Sequence, residues 1–254
     1  MSEEESLKAC PRAIAKRQIK SIHSSINPKK LLLALCVAIG LVQLPLISAR
    51  ADRTGSPTMW AVAANIRDGE YSGVGIYLTP GLVITAAHVT SGWTGNVEVY
   101  IDGAGFPASH LKQGVFEDVD LALFSVDQQK LPASIQEIQA SLCRAPAWSG
   151  DPVIVVDQAG TTRSHIISPV ILPFPLRSKF STLIADVATT GNSGSGVFDP
   201  DHECLLGIMS RKITQTRTVA GSDQKQSYDL AKYFVPASAI AEFLPADVDL
   251  GPRQ

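Results

Sequence analysis

Helical periodicity, charge and cysteine are all scarce in this 254-residue chain. Only 18% of its residues are Asp, Glu, Lys or Arg, against 45% hydrophobic. No H-E-x-x-H run and no paired-cysteine spacing occurs, and His23, His110, His165 and His202 have no ligand-type partner pattern, so no metal is expected. No glycine-rich loop leads from a strand into a helix, so no nucleotide cofactor is expected either. Of the four cysteines, Cys10 and Cys36 fall in the N-terminal region and Cys143 and Cys204 lie beyond it. These two either form one disulfide in an oxidising compartment or remain as separate buried thiols, and the sequence does not choose.

Charge is divided unevenly along the chain. Residues 1–30 hold seven Lys/Arg against three Glu, and residues 31–48 are uncharged and mostly apolar. A basic flank before an apolar run is an export signal or a membrane anchor, with the flank held in the cytoplasm. Ala49-Arg50-Ala51 fits a small-residue cleavage site and would leave 203 residues from Asp52, so cleavage is the expected outcome. Eighteen apolar residues also reach the short end of a membrane span, although Gln43 and Pro45 interrupt the second half. Beyond residue 51 there are 14 Lys/Arg and 21 Asp/Glu, a net charge of −7, which offers no electrostatic footprint for nucleic acid.

Short apolar runs at 97–101, 121–126, 153–156, 181–187 and 204–210, with turn residues between them, predict an all-β fold. One stretch has helical character: at 236–244 a proline precedes an Ala/Ile/Phe/Leu stripe. About 200 residues suffice for two strand-built cores.

Three motifs carry chemistry. Gly191-Asn192-Ser193-Gly194-Ser195-Gly196 surrounds one serine with small residues, a setting in which a tight turn presents a hydroxyl and aims amide hydrogens at a nearby oxyanion. Thr85-Ala86-Ala87-His88 follows an apolar run broken at Pro80-Gly81, which reads as a hairpin delivering His88 at the end of its second strand. Its small neighbours leave room for a carbonyl group and a proton-transfer partner. Asp118-Val119-Asp120-Leu121-Ala122-Leu123-Phe124 supplies an acid. Strand alternation puts both aspartates on one face, so either satisfies parity; Asp120 enters the apolar run, whereas Asp118 follows Glu117.

Thr-Ala-Ala-His, Asp-Leu-Ala-Leu and Gly-Asn-Ser-Gly-Ser-Gly, in that order and separated by 32 and 73 residues, resemble the chymotrypsin-like serine peptidases. Asn192 and Ser195 resemble the corresponding positions of bacterial glutamyl-endopeptidase-like and HtrA-like members. The resemblance covers about residues 58–244. It implies two six-stranded antiparallel β-barrels with the active site in the cleft between them and a short C-terminal helix. The first barrel would span 52–140 and the second, with the helix, 141–244, followed by a tail at 245–254.

The same resemblance implies a triad of Ser193, His88 and Asp120, with the amides of Gly191 and Ser193 as oxyanion donors. Val187, Ala188, Thr189 and Thr190 would lie at the pocket floor with Met209 on the facing wall, Ser210 would touch the triad acid, and 210–213 would pair with substrate backbone. Arg211 and Lys212 would stand near the mouth. No charged group lines the pocket so assigned, so a small or medium apolar residue is expected before the scissile bond. Asn192, in place of the aspartate of trypsin-type zymogens, removes the partner that a new N-terminal amine would need. The expected protein is an exported, monomeric bacterial endopeptidase with a polypeptide substrate and no cofactor. The other readings are an inactive protease-fold binding protein and a membrane-tethered quality-control protease; against the latter, little chain follows the second barrel.

Overall fold

The short apolar runs separated by Gly, Pro and Asp turns fold into β-strands that close on themselves, which removes the sheet edges such strands would otherwise expose. The computed structural model describes residues 63–68, 71–92, 97–185, 192–218, 221, 223–248 and 250. The basic and apolar segments before residue 52 and their cleavage motif lie outside these residues. Among the described residues no helix is long and apolar enough to cross a membrane.

Strands β1 (Ala63–Asp68), β2 (Tyr71–Thr79), β3 (Leu82–Thr85), β4 (Val97–Ile101), β5 (Ala104–Gln113) and β6 (Ala122–Val126) form a closed barrel in the order β1-β2-β3-β6-β5-β4. Strands β7 (Pro152–Asp157), β8 (Gly160–Ile167), β9 (Leu183–Ile184), β10 (Gly196–Asp199), β11 (Cys204–Thr218) and β12 (Lys225–Pro236) form a second, ordered β10-β11-β12-β9-β8-β7. Among the described residues there are also three short α-helices, α1 (Ala133–Gln136), α2 (Phe174–Arg177) and the terminal α3 (Ala237–Phe243), and three single 3₁₀ turns. The two six-stranded antiparallel barrels and the short terminal helix match the expected fold. Pro236 caps α3 with extended backbone rather than entering its first turn.

Several strands read as unbroken apolar runs because both their faces are covered. In β7, Ile154 and Val156 join a large apolar cluster that runs from the first barrel to α3, while Val153 and Val155 fill the second barrel. A period of two thus divides one strand between two cores. Strand β5 is the opposite case, with most of its residues exposed. Its first half pairs with β4 and its second half with β6, and Pro107 falls where only β4 is paired, so the missing amide hydrogen takes nothing from the β6 ladder.

Cys143 and Cys204 form a disulfide with Cα atoms 5.0 Å apart, resolving the alternative left open by the sequence. It ties the segment entering the second barrel to the start of β11, beside the backbone bonds from Cys143 N to Leu205 O at 3.0 Å and from Leu205 N to Ser141 O at 2.8 Å. The bridge closes a sequence separation of 61 residues, long enough that its loss should lower stability by about 2–4 kcal/mol. Urea unfolding of the Cys143→Ser/Cys204→Ser double variant should show that loss, and a reductant should lower the wild-type midpoint without moving that of the variant.

Candidate active site

The hairpin of β2 and β3 turns at Pro80-Gly81, where Gly81 adopts φ 74°. β3 is buried along its whole length, so its end is rigidly placed. There the chain enters a single 3₁₀ turn, Ala87–Val89, which carries His88. Thr85 Oγ1 donates to Val74 O at 2.5 Å, and Gln113 Nε2 donates to Ala87 O at 2.8 Å, fixing the turn on both sides.

Asp118 and Asp120 both precede β6, which begins at Ala122, so strand parity does not govern them. A turn closed by Asp118 N to Val115 O at 3.0 Å leaves Asp118 exposed, whereas Asp120 is fully buried. Its carboxylate accepts from His88 N at 3.0 Å, from His88 Nδ1 at 2.8 Å and from Ser210 Oγ at 2.5 Å. Burial pushes its pKa up, but the hydrogen bonds from His88 and Ser210 outweigh that and hold it below the ordinary value of 3.8. An ionised carboxylate only accepts, so Nδ1 carries the hydrogen and Nε2 is left to receive one.

Ser193 Oγ lies 2.8 Å from His88 Nε2 and 3.3 Å from Ser210 O. The turn presenting it is held by Ser195 N to Asn192 O at 3.0 Å and is bonded to both barrels, through Val74 N to Ser193 O at 3.1 Å and Gly194 N to Met209 O at 2.8 Å. Gly194 has φ +89°, and a Cβ there would meet Val74 O at 1.8 Å and Thr85 Oγ1 at 2.4 Å. Ser195 is buried, and its hydroxyl has no hydrogen-bond partner among the described residues. Hydroxyl, imidazole and carboxylate are therefore in line for a proton to pass from Ser193 to His88 while Asp120 stabilises the imidazolium.

Gly191, Val187, Ala188, Thr189 and Thr190 lie outside the described residues. Met209 is enclosed in the apolar cluster of the second barrel, 1% exposed. Ser210 contacts Asp120, as given above. Arg211 turns back toward the buried acid: its guanidinium lies 3.7 Å above the Phe116 ring, Nε donates to Ser210 Oγ at 3.2 Å, and a terminal nitrogen stands 3.8 Å from Asp120 Oδ2. It also donates to Phe116 O. Lys212 is exposed and paired with Asp229 at 2.9 Å.

Phe116 was not singled out from the sequence. Its ring meets the His88 ring edge-on, with centroids 5.1 Å apart, and so connects Arg211 to the imidazole. A groove of about 1120 Å³ opens beside His88, between the 3₁₀ turn, His110 and Gln113 on β5, and the segment from Gly114 to Glu117. Among the described residues no group of three or more His, Cys, Asp or Glu could hold a metal ion.

Two barrels meeting at a serine, an imidazole and a buried carboxylate define the class of trypsin-like serine peptidases. The model of the trypsin-like peptidase domain matches residues 73–208, more than half of the chain, and the protein belongs to that family. It is a serine endopeptidase. No curated protein matches the chain. Solved structures share the fold. The Rv3671c protease of M. tuberculosis in an inactive form is 20% identical over 74% of this chain and 88% of its own, with a TM-score of 0.50. Its active form is 16% identical over 94% and 98%, again with a TM-score of 0.50. The serine endoprotease from Yersinia pestis is 18% identical over 72% of this chain and 61% of its own, at 0.50.

Two outcomes follow from this geometry. Gly194→Ala should destabilise the protein by at least about 2 kcal/mol, since it adds both a strained backbone and a clash with the first barrel, and a thermal melt should show it. Because the folded-state pKa of Asp120 is depressed, its ionised form favours the fold at pH above 3.8, and this contribution disappears as pH falls through the lower folded value. The stability difference between wild type and Asp120→Asn, measured by denaturant unfolding from pH 6 downward, should therefore narrow on the acid side.

Proposed function

We propose that the protein is an exported endopeptidase that hydrolyses peptide bonds through Ser193, His88 and Asp120. The observation that carries this reading is the continuous relay of two 2.8 Å contacts, Ser193 Oγ to His88 Nε2 and His88 Nδ1 to Asp120 Oδ2. Ser193 Oγ attacks the scissile carbonyl and forms an acyl-enzyme, His88 takes the hydroxyl proton and gives it to the leaving amine, and water then releases the acyl group by the reverse sequence. Asp120 stays ionised and orients the imidazole. The amides of Gly191 and Ser193 receive the oxyanion.

Asn192 carries no charge, so the oxyanion turn forms without an aspartate–amine ion pair, and the exported chain is competent without a defined N-terminal cut. Residues 187–190 bring no charged side chain, which supports acceptance of a small or medium apolar residue before the scissile bond. The basic segment at 1–30 and the apolar run at 31–48 support export with cleavage after Ala51. The protein acts as a monomer on polypeptide substrates.

Ser193→Ala should abolish hydrolysis of an unfolded protein substrate and labelling by a fluorophosphonate probe, and Asp120→Asn should lower kcat by about 10⁴. Hydrolysis by purified Ser193→Ala protein at a tenth of the wild-type rate would sink the assignment. Wild-type protein that neither labels nor hydrolyses would instead favour a binding role.

A further inference from the structure

Strand β11 is longer than its barrel requires. Its 15 residues pair with β10 only through Cys204 to Ile208, and Met209 still bonds the nucleophile turn through Met209 N to Ser195 O at 2.8 Å. From Ser210 to Thr218 it pairs, among the described residues, with β12 alone. Past the pairs of β12 with β9 at Lys232 and Tyr233, opposite Lys212 and Arg211, the two strands leave the barrel as a two-stranded ribbon, and among the described residues one backbone edge of β11 is unpaired over nine positions. At about 3.3 Å per residue the open edge is roughly 25 Å long.

Such an edge normally attracts unwanted strands and is blunted by proline, charge or cover. Here 210–218 contains no proline. Its cations are directed elsewhere: Arg211 folds over Phe116, Lys212 pairs with Asp229, and Arg217 donates to Gln215 Oε1 at 3.0 and 2.8 Å. Beyond the register shift between Ile213 and Thr214, the two strands of the ribbon are joined by cross-strand side-chain bonds as well as by their backbone pairing. Thr214 Oγ1 donates to Asp229 Oδ1 at 3.0 Å, and the hydroxyls of Thr216 and Ser227 lie 2.9 Å apart. Past Ile213 the side chains of β11 are largely exposed, so no apolar core explains the extension.

The open edge starts at the proposed nucleophile, because Ser210 O is 3.3 Å from Ser193 Oγ. A polypeptide added antiparallel to β11 would run toward Ser193, laying the residues before its scissile bond along the strand. If the first such residue lies beside Ser210, the fifth to ninth lie beside Thr214 to Thr218. We propose that this outer half of the ribbon edge, 214–218, is a docking strand for the substrate, selecting extended or unfolded polypeptides with at least nine residues before the cleaved bond. The proposal rests on the triad reading given above. Recognition is through main-chain hydrogen bonds, so it discriminates by length and extendedness more than by side chain.

The test uses two peptides with the same cleavage residues, carrying four or nine residues before the scissile bond. Wild-type protein should cleave the longer one with kcat/KM higher by about 10-fold, the effect of two or three added backbone bonds. N-methylation of the longer peptide at alternate amides in positions five to nine should remove the gain for one parity and spare it for the other. A variant in which residues 215–228 are replaced by Asn-Gly, joining the paired Thr214 and Asp229 through a tight turn, should bring the long-to-short ratio to about one. Ser193-dependent hydrolysis with a wild-type ratio near one, or a ratio that survives the shortened ribbon, overturns the docking strand alone. A dimer that dissociates on shortening, with no length effect, assigns the edge to a second copy and also overturns it. Hydrolysis that persists in Ser193→Ala removes the triad reading and this proposal together.

Discussion

A buried negative charge organises the structure. Asp120 is fully enclosed, and an enclosed carboxylate is tolerated only where donors replace the water it has lost. The donors come from both barrels: the main chain and ring of His88 from the first, and the Ser210 hydroxyl, with the Arg211 guanidinium behind it, from the second. The apolar cluster running from the first barrel through Ile154, Val156 and Ile208 to α3 joins the two barrels. That attraction has no direction, so it would accept small rotations of one barrel against the other. The carboxylate network would not, because each donor must stay within hydrogen-bond distance. Barrel packing and the meeting of Ser193, His88 and Asp120 are therefore one constraint.

The residues of the candidate site were legible because they reside in short, contiguous motifs: a hairpin ending in Thr-Ala-Ala-His, an aspartate entering an apolar run, and a serine among small residues. Strands β6 and β7 were legible for a similar reason, since burial on both faces leaves an unbroken apolar run. β5 and β12 were not. The first is mostly exposed and divided between two partners, and the outer half of the second belongs to a ribbon solvated on both faces, so neither has an alternating pattern to read. The choice between Asp118 and Asp120 could not come from strand parity, because a turn ending at Asp118 precedes the strand. Phe116, and the contact Arg211 makes with it, were hidden by distance: the two are 95 positions apart, and nothing local marks a cation that folds over an aromatic from the other barrel. The disulfide was left undecided for the same reason, as only the fold brings Cys143 to Cys204.

β11 shows how one strand serves three environments in succession. Leu205 and Ile208 face the shared core, Leu206 and Met209 face the interior of the second barrel, and Ile213 reaches a third cluster with Leu172 and Phe180. The irregularity between Met209 and Arg211 interrupts the alternation at Ser210, where the strand passes Asp120 and Ser193. A bulge re-aims side chains without ending the pairing. It allows Ser210 to offer its hydroxyl to Asp120 and its carbonyl toward Ser193 while β12 remains paired beyond it.

The small residues around Ser193 acquire a second cause from this arrangement. Read locally, they leave room for a tight turn and an oxyanion. In the fold they also allow the second barrel to approach the first: a Cβ at Gly194 would strike Val74 O and Thr85 Oγ1, and one at Gly196 would meet Ile76 Cδ1 at 2.8 Å. Val74, Ile76 and Thr85 lie on β2 and β3, the hairpin that delivers His88. The spacing between Ser193 and His88 is thus set by the contact that excludes side chains from the Ser193 turn. A larger residue at either glycine would push the turn from the hairpin and lengthen the 2.8 Å Ser193–His88 contact, so the requirement for small residues is as much one of barrel approach as of room for substrate.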